Sequence, residues 1–177
     1  MIEWDAIDTV LLDMDGTLLD LHFDNYFWME HLPRLYAAKH RISETESSAF
    51  LKATFHSGEG TLNWYCLDHW SEQLEMDIPA LKQEIQHMIQ VRPFAIEFLT
   101  QLHASHRDVV MVTNAHRKTL ELKMANIDIT GWFDRVVVSH DLNMLDGFER
   151  IIVFDQGRVI MDGSPDAAVE RYVELMT

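Results

Sequence analysis

Cysteine is nearly missing from this chain: Cys66 stands alone, so no internal disulfide can form. The start, Met1-Ile2-Glu3-Trp4-Asp5, has neither the basic residues nor the apolar stretch of a secretory signal, and a reducing cytoplasm is the expected setting. Basic residues are also scarce. Fourteen lysines and arginines face 29 aspartates and glutamates, a formal charge of -15. Such a surface repels a phosphate backbone and offers no basic stripe, which argues against nucleic acid as a partner. No apolar run approaches the roughly 18 residues of a membrane span, so no membrane insertion is expected. Internal repeats, low-complexity tracts and long flexible linkers are absent too.

What is present describes a packed globular protein. Of the 177 residues, 47% are hydrophobic and 10% aromatic, enough for one substantial core or for a small core domain carrying an insertion. Thr9-Val10-Leu11-Leu12 reads as a buried core strand that stops at the polar turn Asp13-Met14-Asp15-Gly16-Thr17. Residues 21–91 change to helical spacing rich in aromatics and show no strand pattern. After Pro93, a helix from Phe94 to about His103 offers Phe94, Ile96, Phe98, Leu99 and Leu102 as its apolar face. A strand over 108–112, the turn Thr113-Asn114-Ala115-His116, a helix over 118–126 and a strand over 134–138 follow. This alternation predicts an α/β fold with a mostly parallel sheet. The division expected is a core of residues 1–20 and 92–177, with 139–177 as an atypical tail, and a helical cap over 21–91. In the tail, Ile151 to Phe154, the turn Asp155-Gln156-Gly157 and Arg158 to Met161 predict a β-hairpin, and Ser164-Pro165 opens a last helix.

In open parallel sheets the ligand crevice lies beyond the carboxyl ends of the strands, where both Asp13 and Thr113 would sit. There a carboxylate can attack phosphorus to give an aspartyl-phosphate, and a second one two residues on can protonate the leaving oxygen and later activate water. Asp13 and Asp15 suit these roles. Two carboxylates facing a phosphate need a cation, and Mg2+ takes one or two carboxylates plus substrate oxygens and water. Gly16 lets the backbone turn closely, while Thr17 and Thr113 supply hydroxyl donors. A solvated turn is the bland alternative. By composition, though, the Asp-x-Asp-Gly-Thr string should arise by chance in roughly one chain of this length in several hundred, which favours the functional reading.

Val10-Leu11-Leu12-Asp13-Met14-Asp15-Gly16-Thr17-Leu18 resembles the first motif of the haloacid dehalogenase superfamily, and Val110-Met111-Val112-Thr113-Asn114 resembles its second. The resemblance implies a Rossmann-like core with an inserted helical cap. It further implies a nucleophilic Asp13, an acid/base Asp15, Mg2+ held partly by the Asp15 backbone carbonyl, and phosphate contact from Thr113 and Asn114. His22-Phe23-Asp24-Asn25-Tyr26-Phe27-Trp28 and Thr61-Leu62-Asn63-Trp64-Tyr65-Cys66-Leu67-Asp68 look like the cap of the bacterial GMP/IMP nucleotidase branch, a likeness covering about residues 1–140. It implies a phosphatase acting on a purine nucleoside 5'-monophosphate, as a monomer or weak homodimer. Trp28, Trp64 or Tyr65 could stack a purine, although core packing is the commoner fate of such a stripe.

The superfamily's third-motif lysine and fourth-motif acidic pair are not evident. Lys118 and Lys123 are the last lysines, and a solvated helix face is the expected role for both. Arg150 is a further stand-in for the missing cation. Asp155 is the candidate remaining metal ligand, with an ordinary hairpin turn an equal alternative. From about Val136 the chain resembles the end of an ATP-binding-cassette ATPase, in which His140 would match the switch-loop histidine. No Gly-Lys pair exists to build that family's phosphate loop, which excludes nucleotide-driven transport by this chain alone. A catalytically impaired hybrid of the two parents is the competing expectation. His103 and His106 lack further ligands nearby and read as a surface pair.

Overall fold

A computed structural model describes residues 8–58, 61–138, 151–155 and 158–175, with the side chains of 62, 151–159 and 172–175 excepted. His140 and Arg150 lie outside the described residues, as does the Asp155 side chain.

Three strands form a parallel sheet in the order β1 (Thr9–Leu12), β2 (Asp108–Thr113), β3 (Arg135–Val138). Leu12 pairs with Met111 and Thr113 with Val138, so the turns after β1 and β2 emerge at the same end. β2 is central and reads almost continuously apolar, with Val109, Val110 and Met111 buried, as expected of a strand flanked on both sides. β1, expected as a buried core strand, has β2 as its one partner among the described residues, and its Leu11 is 57% exposed. Among the described residues it is an edge strand.

Between β1 and β2 the chain is helical, as its spacing predicts. α1 (His22–Tyr26) runs through a π-helical turn, Phe27–His31, into α2 (Leu32–His40). Leu32 N–H bonds to the Phe27 carbonyl five residues back, immediately before Pro33, which has no N–H to continue the ordinary ladder. α3 (Glu44–His56) begins with a capping box: Ser43 Oγ accepts from Glu46 N–H at 3.2 Å, and Glu46 accepts from Ser43 N–H at 2.9 Å. α4 (Leu67–Leu74) and α5 (Ile78–Glu84) complete this layer, α5 capped by Asp77. Phe23, Phe27, Leu32, Leu51, Trp70 and Ile78 fill its interior, continuous with the Met14, Leu19, Leu99 and Met111 core under the sheet. Full burial of such side chains contributes about 1.5–3 kcal/mol each.

α6 (Ala95–Ala104) corrects one expectation. Ala95, Leu99 and Leu102 are its buried face, whereas Phe94, Ile96 and Phe98 are exposed. Phe94 adopts a left-handed φ of 67° just before the helix, which takes it off the helical stripe. α7 (Arg117–Asn126) links β2 to β3.

The tail forms the expected hairpin, β4 (Ile151–Asp155) antiparallel to β5 (Arg158–Gly163) with a bulge at Val153/Phe154. α8 (Pro165–Leu175) packs on both strands, burying Ala168. This hairpin is a sheet of its own, separate from β1-β2-β3. No described helix is long and apolar enough to cross a membrane.

Candidate active site

The turn after β1 is knitted by its own backbone. Leu18 and Leu19 N–H groups share the Met14 carbonyl at 2.9 Å, and Gly16 N–H bonds to the Leu19 carbonyl at 2.9 Å. Gly16 takes a φ of +79°, and a Cβ there would come within 3.2 Å of Leu21 Cδ1, so the turn calls for glycine twice over. Residues returning from the helical stretch close the turn from outside. Arg92 N–H bonds to the Leu18 carbonyl, Asp20 N–H to the Gln90 carbonyl, and the Arg92 guanidinium donates to the Gly16 carbonyl at 2.6 Å.

Asp13 and Thr17 are exposed on this turn, whereas Asp15 is half-buried. Thr113 is buried at the end of β2, and its Oγ1 accepts from Ala115 N–H at 3.1 Å, leaving its own O–H to donate. Asn114 follows, half-buried. The sheet therefore gathers Asp13, Asp15, Thr17, Thr113 and Asn114 at one end, as expected. Asp155 does not join that strand set: its backbone closes β4 opposite Arg158, the position of a hairpin-turn residue.

Lys123 is the main departure from expectation. It is 1% exposed, and its ammonium reaches Asp15 Oδ1 and Asp24 Oδ2, both at 2.5 Å. Asp24 in turn takes the buried Lys82 ammonium at 2.7 Å on its other oxygen. Lys118 keeps the solvated role expected of it, exposed and paired with Asp68 at 2.6 Å. The signal for Lys123 was in the sequence. Leu120, Lys123 and Met124 share one stripe of α7, and a lysine inside an apolar stripe needs a buried partner. Lys82 stands likewise between Ile78 and Ile85.

The electrostatics follow from this layout. Burial raises the Asp15 carboxyl above its ordinary value, and the Lys123 ammonium opposes the shift without cancelling it. Partial desolvation also raises Asp13, against a hydrogen bond from the Met14 backbone. For Asp24 burial again pushes upward, but Lys82 and Lys123 together outweigh it and hold the group below the usual carboxylate range. Two carboxylates and two ammoniums thus form a charge-balanced row.

Trp28 packs edge-on against Phe27 and Phe55, with ring centroids 5.0 and 5.2 Å apart, as a core residue would. The Trp64 carbonyl accepts from Trp70 Nε1 at 3.0 Å, while Tyr65 stays 37% exposed.

The chain is similar to several known proteins. The nucleotidase named GMP/IMP nucleotidase YrfG, from Escherichia coli (strain K12), is 42% identical over 139 residues, which cover 78% of this chain and 63% of that protein. The chain thus spans less than two thirds of that relative's length. A crystal structure of a HAD phosphatase from Thermococcus onnurineus superposes with a TM-score of 0.67 at 22% identity, covering 77% of this chain and 64% of the other, a likeness of fold. The C-terminal region matches transporter ATPases over short stretches, among them the biotin transport ATP-binding protein BioM of Rhizobium etli, 42% identical over 40 residues. That stretch covers 23% of this chain and 18% of BioM. The family model described as haloacid dehalogenase-like hydrolase matches residues 7–152. With its motif turn, parallel sheet and helical insertion in agreement with that match, the chain belongs to the haloacid dehalogenase-like hydrolase family.

Proposed function

We propose that this chain is a Mg2+-dependent phosphomonoester hydrolase acting through an aspartyl-phosphate on Asp13, with purine nucleoside 5'-monophosphates as substrates. The observation that carries the reading is an exposed Asp13 beside a half-buried Asp15 whose carboxyl is raised, at the sheet end shared with Thr113. In this reading Asp13 forms a bond to phosphorus as the ester P–O bond breaks, and the leaving oxygen takes its proton from Asp15. Asp15, now a carboxylate, removes a proton from water, whose oxygen attacks phosphorus and frees both phosphate and Asp13. Thr17, Thr113 and Asn114 hold phosphoryl oxygens during both steps.

The donor set fits Mg2+. The Asp13 carboxylate and the Asp15 backbone carbonyl are hard oxygen ligands, and the exposure of Asp13 leaves room for a partly hydrated ion. Bound there, the ion would offset the charge between carboxylates and phosphoryl group. Asp155 is the candidate for a further carboxylate ligand, on a strand that pairs with β5. The helices between β1 and β2 serve as the cap, excluding water and offering Tyr65 to the base.

Support for the nucleotide comes from the 42% identity to the Escherichia coli nucleotidase. The test is phosphate release from GMP and IMP with Mg2+ present, by the wild type and by Asp13→Asn. Release lost in the variant is the expected result, and release that survives rejects the assignment. A binding-only protein is the second reading, favoured by the sheet of β4 and β5, which among the described residues is separate from β1-β2-β3. Trapping of a phosphorylated Asp13 on acid quench separates the two.

A further inference from the structure

The row Asp15–Lys123–Asp24–Lys82 crosses from one part of the molecule to the other. Asp15 and Lys123 belong to the motif turn and α7, whereas Asp24 and Lys82 belong to α1 and α5 of the insertion. Lys82 is sealed by aromatic faces, its ammonium 4.9, 4.8 and 5.4 Å from the ring centroids of Phe23, Phe27 and Trp28. Phe23 also lies 5.5 Å from the Lys123 ammonium. Buried ion pairs are poor devices for stability alone, since apolar residues of like volume often hold a fold as well or better. Fixing the geometry of a particular group is a better account of this row.

Resting on the aspartyl-phosphate reading above, we infer that Lys123 is the positioning residue for the Asp15 carboxyl, itself held in place from the insertion by Asp24 and Lys82. Lys123 binds Asp15 through Oδ1, so the other oxygen, Oδ2, is left to meet the ester oxygen. A buried lysine stem has few rotamers left, and a second anchor on Asp24 removes the remaining swing. Lys82, on the opposite oxygen of Asp24, fixes that carboxylate in turn. The proton donor is therefore aligned only while α1 and α5 are seated on α7.

The test compares an ester that needs its leaving oxygen protonated, GMP, with one that barely does, 4-nitrophenyl phosphate, both in single turnovers with Mg2+. Lys123→Met is expected to slow phosphoryl transfer from GMP by at least about 100-fold, and from 4-nitrophenyl phosphate by less than about 10-fold. Lys123→Arg is expected to restore part of the GMP rate, and Asp24→Asn to repeat the selective loss. Equal losses on both esters mark a merely structural lysine and overturn the inference. If circular dichroism shows Lys123→Met unfolded, the same ratio is read from Lys123→Arg against wild type. Activity surviving in Asp13→Asn rejects the underlying reaction instead. If the wild type turns over neither ester, amide hydrogen exchange decides: exchange across residues 13–17 should quicken by about 10-fold in Lys123→Arg, and unchanged exchange overturns the positioning role.

Discussion

Lys123 and Asp15 are 108 residues apart in the chain and 2.5 Å apart in space. Their meeting joins the helix after β2 to the turn after β1. It also supplies a cation to a site that had no evident one on the strength of its motifs.

Asp24 is the member of this row with the most to lose. Asparagine there would leave two buried ammoniums facing a neutral amide, and the expected destabilisation is about 3–5 kcal/mol, measured by urea unfolding. The exposed pair Asp68–Lys118 is the control. Lys118→Ala should leave the melting temperature unchanged within error, since solvated pairs of this kind contribute little.

Acid should act through the same residue. The folded-state value of Asp24 lies below its ordinary 3.8, so its contribution is present in full above 3.8 and is lost as the pH falls through the depressed value. Asp13 and Asp15 carry the opposite sign. Their raised values disfavour the fold at neutral pH, and protonation above 3.8 relieves this. Urea midpoints for the wild type minus those for Asp24→Asn, plotted against pH, should hold steady near neutrality and collapse below 3.8. A flat difference at all pH values would refute this role for Asp24.

Gly16→Ala places a side chain at a φ of +79° and a Cβ 3.2 Å from Leu21. The cost expected is about 1–2 kcal/mol of stability. Because the distortion falls between Asp15 and Thr17, phosphate release should drop more steeply than the unfolding midpoint. Both are measured on one preparation.

Chelation of divalent cations should abolish phosphate release, and added Mg2+ should restore it. A ligand that binds only the folded state also raises the melting temperature by mass action. Thermal melts with and without Mg2+ should therefore differ in the wild type and converge in Asp13→Asn.

Much of this molecule is legible in its sequence. The apolar runs of β1 and β2 end at polar turns, and two short runs around the turn residues Asp155-Gln156-Gly157 mark the hairpin of β4 and β5. Asp13, Asp15, Thr17, Thr113 and Asn114 were brought to one end because strand pairing is parallel, which the helices between the strands required. Other features hid for physical reasons. Phe94 looked like the start of an apolar stripe, but a left-handed backbone turned it outward. Arg92 and Lys82 act on partners 76 and 58 residues away, and no local pattern encodes such a pairing. Lys123 is readable from its stripe, yet its charge argues for water, and only the fold brings Asp15 and Asp24 around it.

The chain leaves the motif turn and comes back to it side by side, through the bridge between Leu19 and Val91 and the bonds flanking it. A segment with such a narrow neck can lengthen, shorten or change its lining while the reaction centre below keeps its coordinates. Evolution could thus retune selectivity by grafting new helices there. Any graft, however, must bring its own counterpart of Asp24, or Lys123 keeps Asp15 as its one carboxylate of the two and loses the anchor from above.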